Sequence, residues 1–168
     1  MYNEGHILVE VPECRRMIFV GRNPYFLSLP KMRFFMPYIK RRDGTFVSKF
    51  VRWCFVKSKN KTILVPPFPN VFSDLKVCCP TGKGKTLEDM VDSQIKTLFA
   101  SSFNNETWET LSDYYYDKFD EVEEDIDAYM EKWMKKTKKK PDWVPKKFAK
   151  YTGEKSDFTN SNDDNDDY

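Results

Sequence analysis

The chain predicts an α+β fold in which an antiparallel β-meander precedes a proline-rich loop and C-terminal helices. Runs rich in β-branched and aromatic residues fill the first part of the sequence and are separated by turn pairs. Pro66-Pro67-Phe68-Pro69-Asn70 then interrupts the pattern. From Thr86 onward the apolar residues recur at helical spacing. The 168 residues suit one domain, for which roughly 70% of the unfolded surface can be buried. That domain is placed at 1–150, with an acidic tail over 151–168.

His6 to Val11 and Arg16 to Val20 are short strands divided by Pro12. Lys31 to Ile39, Thr45 to Lys57 and Lys61 to Val65 follow, separated by Arg42-Asp43-Gly44 and Ser58-Lys59-Asn60, which read as hairpin turns. Pro37 cannot donate to a ladder, so its strand is expected at an edge or bulged there. After the proline-rich loop, Thr81 to Lys85 reads as a polar loop, and Thr86 with Asp89 opens a helix through a partial capping box. Leu87, Met90, Val91, Ile95, Leu98 and Phe99 give that helix one apolar face. Beyond a break at Ser101 to Asn105, Trp108, Leu111, Tyr115, Phe119, Val122, Ile126, Met130 and Trp133 mark a second, longer helix with acids between them.

The segment with most chemical content is Phe68-Pro69-Asn70-Val71-Phe72-Ser73-Asp74-Leu75-Lys76-Val77-Cys78, in which Asn70 stands eight positions before Cys78. A cysteine thiolate attacks readily and leaves readily, so it can accept an acyl group from one thioester and yield it to an amine or a second thiol. An asparagine amide can order the loop or donate to the oxyanion formed during that attack, the latter worth about 3 kcal/mol. The scheme needs no adjacent histidine, and the only histidine, His6, lies far off in sequence. The plainer alternative is a buried apolar cysteine after an ordinary Pro-Asn turn. Cys79 follows directly, and neighbours in extended chain point to opposite sides, so one thiol should face solvent and the other inward. The spacing from Asn70 selects Cys78 as the outward one.

This segment, with a meander before it and helices after it, resembles the active-site region of ubiquitin-conjugating enzymes, where a His-Pro-Asn tripeptide precedes the thioester-carrying cysteine. The pairing of Pro-Pro-Phe-Pro-Asn-Val with the later Leu98-Phe99-Ala100-Ser101-Ser102-Phe103-Asn104-Asn105 is more narrowly similar to the prokaryotic conjugating-enzyme-like family typified by the B protein of PRTRC systems. The resemblance covers about residues 14 to 110. It implies the ubiquitin-conjugating fold and a transferase with Cys78 and Asn70 as site residues. It also implies a ThiF-type activating enzyme and a ubiquitin-like protein as partners. Phe68 replaces the family histidine, which is mainly structural, and Leu75 stands where many members have glycine, implying a different turn before the cysteine. A non-catalytic binding module of the same fold, in a bacterial, plasmid or phage system, is the second reading. A cysteine hydrolase is the weakest, since it would need a base beside the thiol.

Cys14, Cys54, Cys78 and Cys79, with no targeting or spanning segment, predict a cytoplasmic, reducing setting without a disulfide framework. Spaced Cys-x-x-Cys pairs are absent, so neither a metal nor another cofactor is expected. Gly82-Lys83-Gly84-Lys85-Thr86 is not a phosphate loop, because the pattern requires glycine where Cys79 stands. The net charge of +2 conceals polarity: residues 132 to 150 hold nine lysines against Asp142, and Glu154 to Asp167 hold six acids and one lysine. The lysines read as a solvated helix end, with nucleic acid the less favoured partner. Thr159 to Tyr168 has no apolar pattern and reads as disordered.

Overall fold

The computed structural model describes residues 3–57, 62–103, 126–145, 148, 150–153 and 158. β1 (Asn3–Val11) and β2 (Cys14–Val20) flank Pro12, and β3 (Asn23–Leu29) returns along β2 after Gly21-Arg22. Gly21 has φ 59°, a left-handed value that glycine takes without a Cβ clash. β3 was not legible as a strand. Its core-facing residues Tyr25, Leu27 and Leu29 alternate correctly, but Phe26 between them is exposed and Ser28 is buried against the last helix, which hides the period.

β4 (Met32–Lys40) is the hub of the larger sheet. β1 pairs antiparallel along its whole length. On its other edge, β5 (Phe46–Ser48) faces Tyr38 to Lys40 and β6 (Arg52–Lys57) faces Met32 to Phe35. Pro37 therefore does not lie on an edge strand. The expected bulge is present on the partner: Lys49, Phe50 and Val51 stand opposite Met36 and Pro37, and the Lys49 N–H donates to the Pro37 carbonyl at 2.8 Å. A residue's N–H and C=O face the same neighbour, so the donor that Pro37 lacks falls where the ladder is already broken. The single strand expected over Thr45 to Lys57 is split at this point.

β7 (Thr62–Leu64) continues from β6, giving a meander in spatial order β1-β4-β6-β7, while β8 (Lys83–Gly84) pairs with β5. Thr81 to Lys85 is thus partly strand rather than only a polar loop. A second sheet joins β3, β2 and β9 (Ser102–Phe103), the last running parallel to β2.

α1 (Leu87–Ala100) begins at a complete capping box formed by Thr86 and Asp89, and buries Met90, Val91, Leu98 and Phe99. α2 (Ile126–Lys139) buries Ile126, Met130 and Trp133. α2 takes in Ile126, Met130 and Trp133 of the helix expected from Trp108 to Trp133, whose earlier part, Trp108 to Val122, lies outside the described residues. α2 is fastened to β3 at Ser28, whose carbonyl accepts from Trp133 Nε1 at 3.1 Å and whose N–H donates to Thr137 Oγ1 at 3.3 Å. Tyr25 donates its hydroxyl to Asp127 at the start of the same helix.

The core is aromatic. Trp53 stacks on Phe68 with centroids 5.1 Å apart, and Phe68 meets Phe103 at 5.3 Å and Trp133 at 6.0 Å. One residue of the supposed tail joins this buried set: Phe158 is 0% exposed, lies 6.3 Å from the Phe35 ring, and its carbonyl accepts from Arg33 Nη1 at 2.6 Å. Residues 151–168 therefore do not all lie off the domain, because an apolar side chain in a polar stretch still gains by covering the Arg33 and Phe35 face of β4.

Candidate functional site

From β7 the chain passes through Val65, Pro66, Pro67, Phe68, Pro69 and Asn70, all buried. Phe68 anchors this loop in the aromatic core through the Trp53, Phe103 and Trp133 rings, so a packing side chain sets the loop's place. A turn closes with the Val71 N–H on the Phe68 carbonyl at 3.0 Å.

A tight hairpin follows. Val71 bridges Val77, the Phe72 N–H donates to the Lys76 carbonyl at 2.8 Å, and the Leu75 N–H donates to the Phe72 carbonyl at 2.8 Å. Asp74 Oδ1 accepts from the Lys76 N–H at 3.0 Å, the local side-chain closure that makes aspartate a turn residue. Leu75 has φ 68°. This is the left-handed backbone that glycine favours, here with leucine in it. That conformation costs a leucine about 1–2 kcal/mol, and its side chain, 0% exposed, returns roughly 2 kcal/mol by burial. The hairpin docks at the start of β6, on the edge that β7 occupies further along: the Trp53 N–H donates to the Leu75 carbonyl at 2.9 Å and the Val77 N–H to the Val51 carbonyl at 3.0 Å.

Asn70 and Cys78 meet at the open end of this hairpin. The Cys78 N–H donates to the Asn70 carbonyl at 2.8 Å, and Asn70 Nδ2 donates to the Cys78 carbonyl at 3.2 Å. The asparagine thus grips both sides of the cysteine backbone, and its amide is directed at the Cys78 carbonyl. Cys78 is exposed and Cys79 half-buried, as their adjacency in extended chain requires. Burial pushes the Cys79 thiol up to about 11, with the neighbouring Cys78 adding to the rise. Phe72, toward the turn of the hairpin, is 44% exposed.

One residue that the sequence reading passed over completes the surroundings. Gln94 of α1, 1% exposed, sends Nε2 to Cys79 Sγ at 3.3 Å and to the Pro80 carbonyl at 3.0 Å, while its Oε1 accepts from the Gly82 N–H at 2.7 Å and from the Ser48 hydroxyl. Its signal was present: Met90, Gln94 and Leu98 lie one helical turn apart, so a glutamine occupies the inward stripe. Gly82 and Gly84 press on the helix backbone; a Cβ would come within 2.7 Å of the Gln94 N at Gly82 and 2.4 Å of the Met90 N at Gly84.

The structure does not bring the remaining candidates to this place. His6 sits on β1 with its ring 5.4 Å from Phe35, separated from the hairpin by β4 and β6. Cys54 is buried, and loss of hydration pushes its thiol up to about 12. Among the described residues no group of three His, Cys, Asp or Glu side chains is placed to hold a metal ion, and no helix is long and apolar enough to cross a membrane. The lysines of α2 are exposed; Lys136 Nζ lies 4.7 Å above the Trp143 ring and Lys135 pairs with Glu131 at 3.7 Å, contacts available to a solvated helix end. The site therefore offers an outward thiol, Cys78, on a hairpin held by backbone hydrogen bonds. No family model, no curated protein and no solved structure matches the chain.

Proposed function

We propose that this chain is a transfer protein of the ubiquitin-conjugating type, which takes a ubiquitin-like protein as a thioester on Cys78 and passes it to an acceptor. The observation that carries the reading is the exposed Cys78, held on both sides of its backbone by Asn70 at the spacing the resemblance specifies. The spatial order β1-β4-β6-β7, then loop, cysteine and helix, supports it. In the first step the Cys78 thiolate attacks the activated modifier's thioester carbonyl and the donor thiolate leaves. In the second, an acceptor amine attacks, the Cys78 thiolate leaves and the amine proton passes to water. Asn70 serves as a positioning residue, since its amide already binds the Cys78 carbonyl. A ThiF-type activating enzyme would supply the modifier, as in PRTRC-like systems, and a cytoplasmic setting suits a free thiol.

The test presents the full chain with a ubiquitin-like protein bearing a C-terminal mercaptoethanesulfonate thioester. The expected product is a reductant-sensitive adduct on Cys78 that is discharged by added lysine and is absent in Cys78→Ala. An adduct formed at full yield by Cys78→Ala overturns the reading. The second reading, a binding module without transfer, draws on the engaged Asn70 amide and the exposed Phe72 of the same hairpin; it predicts a protein that is alkylated at Cys78 yet takes no modifier from the thioester.

A further inference from the structure

We infer that Gln94 is the positioning residue that decides which of the two adjacent thiols this protein presents. Cys78 and Cys79 are chemically identical, and extended backbone demands only that they point apart. Either could be outward. Asn70 secures the backbone up to Cys78, through the Cys78 N–H and carbonyl. Beyond it Pro80 has no N–H to give to a ladder. The grip there comes from α1: Gln94 Nε2 holds the Pro80 carbonyl at 3.0 Å and Cys79 Sγ at 3.3 Å.

The amide cannot turn over to serve this purpose differently. A carboxamide has two N–H donors and an oxygen with two acceptor sites. In Gln94 both donors are used, and the oxygen receives the Gly82 N–H at 2.7 Å and the Ser48 hydroxyl. Exchanging the nitrogen and oxygen would set N–H against the Gly82 N–H and oxygen against the Pro80 carbonyl, leaving buried polar groups unpaired. The orientation is thereby locked from the Gly82 side, which is itself pressed on the helix backbone where only glycine fits. What remains is a donor aimed at one sulfur, and the sulfur it receives is that of Cys79. Burial, which pushes the Cys79 thiol up to about 11 against the lowering effect of the Gln94 hydrogen bond, depresses its thiolate fraction at neutral pH by roughly a hundredfold relative to an ordinary thiol, so the inward position that Gln94 holds is what makes this cysteine the less reactive one. The inference concerns presentation of the thiol and stands whether or not Cys78 carries a modifier.

The test is alkylation of the folded full chain with iodoacetamide at neutral pH, followed by mass mapping of the peptide that holds both cysteines. The wild type should label Cys78 over Cys79 by about tenfold or more. Gln94→Leu should bring the two within about threefold of each other, because the Pro80 carbonyl loses its tether and the released segment exposes the Cys79 side chain, which outweighs the loss of the donor to its sulfur. Thr86→Ala is the control: it removes the cap of the same helix without touching Gln94, so it should lower the melting temperature and leave the ratio unchanged. If Gln94→Leu does not fold, Gln94→Met takes its place, an unbranched side chain of similar length that cannot donate to the Pro80 carbonyl, and it should shift the ratio in the same direction. A wild-type ratio retained in a folded Gln94 variant, or an equal shift in Thr86→Ala, overturns the inference.

Discussion

Leu75 holds two opposing energies in one residue. Its left-handed backbone costs about 1–2 kcal/mol, whereas removing a fully buried leucine side chain costs about 2–5 kcal/mol. Burial wins, so Leu75→Gly should destabilise by about 2 kcal/mol while leaving the hairpin and the exposure of Cys78 in place. Chemical denaturation with native alkylation measures both, and a stabilised variant would show that strain dominates. Asn70→Ala separates two roles. With the amide bound to the Cys78 carbonyl, its loss should cost about 1–2 kcal/mol and lower thioester loading and stability together. Normal loading with discharge to lysine slowed about a hundredfold would instead place the amide on the oxyanion. Cys54 sets a pH dependence. Its folded thiol is raised from 9.0 to about 12 by burial, so the native state holds that proton more tightly than the unfolded chain. The stability this gives is full below pH 9 and is lost as pH rises toward 12. Tyr25 acts in the same sense from its ordinary 10.0 upward, raised by burial and then by the Asp127 carboxylate. Unfolding free energy should therefore fall on the alkaline side, and the slope between pH 9 and 12 should be shallower in Cys54→Ala.

At the scale of elements, β8 and α1 form one unit, joined by the bare backbone of Gly82 and Gly84 and by Gln94. Gly84→Ala would place a Cβ 2.4 Å from both the Met90 N and the Asp89 Cβ, and a helix backbone cannot yield to it. The expected loss exceeds about 2 kcal/mol, against about 1 kcal/mol for removing the Thr86 cap. Thermal unfolding of the two variants side by side checks the order, and a Gly84→Ala protein as stable as Thr86→Ala would mean that β8 does not lie so close. The hairpin of Cys78 is joined to β6 in the same way, by backbone, so the cysteine's position is inherited from the sheet rather than from a flexible loop.

Across the molecule, β4 is covered on one face by the aromatic core and on the other by residues near the end of the chain. Truncation after Tyr151 removes Phe158, uncovers Phe35 and takes a carbonyl from Arg33, which is itself 5% exposed. A loss of about 3–5 kcal/mol is expected, the range for deleting a buried phenylalanine. Truncation after Phe158 retains all of these contacts. A calorimetric comparison of the two shortened chains decides the matter; equal melting temperatures would show that Phe158 contributes nothing.

What the sequence determined by itself is whatever depends on near neighbours. The capping box at Thr86 and Asp89, the apolar stripe of α1 and the opposite facing of Cys78 and Cys79 follow from helical and extended periodicities, which are local geometry. The strands flanking Pro12, and those within Lys31 to Ile39 and Lys61 to Val65, were legible for the same reason, whereas the split of Thr45 to Lys57 and the short β8 were not. The tertiary structure decided what distant chain supplies. Whether Pro37 lay at an edge or beside a bulge depended on β1 pairing with β4 across the β2–β3 hairpin. β3 was hidden because Ser28 is buried only by Trp133 and Thr137 of α2, and Phe158 reads as tail until the Arg33 and Phe35 face needs a cover. At the site, Asn70 and Cys78 were legible as a spaced pair across a loop, and the structure closes that loop as a hairpin between them. Leu75 could keep a glycine's conformation because a core awaited its side chain, and Gln94 acquired its role from Ser48, Cys79 and Gly82. Burial and the pairing of buried polar groups are properties of what surrounds a residue, and folding brings those surroundings from elsewhere in the chain.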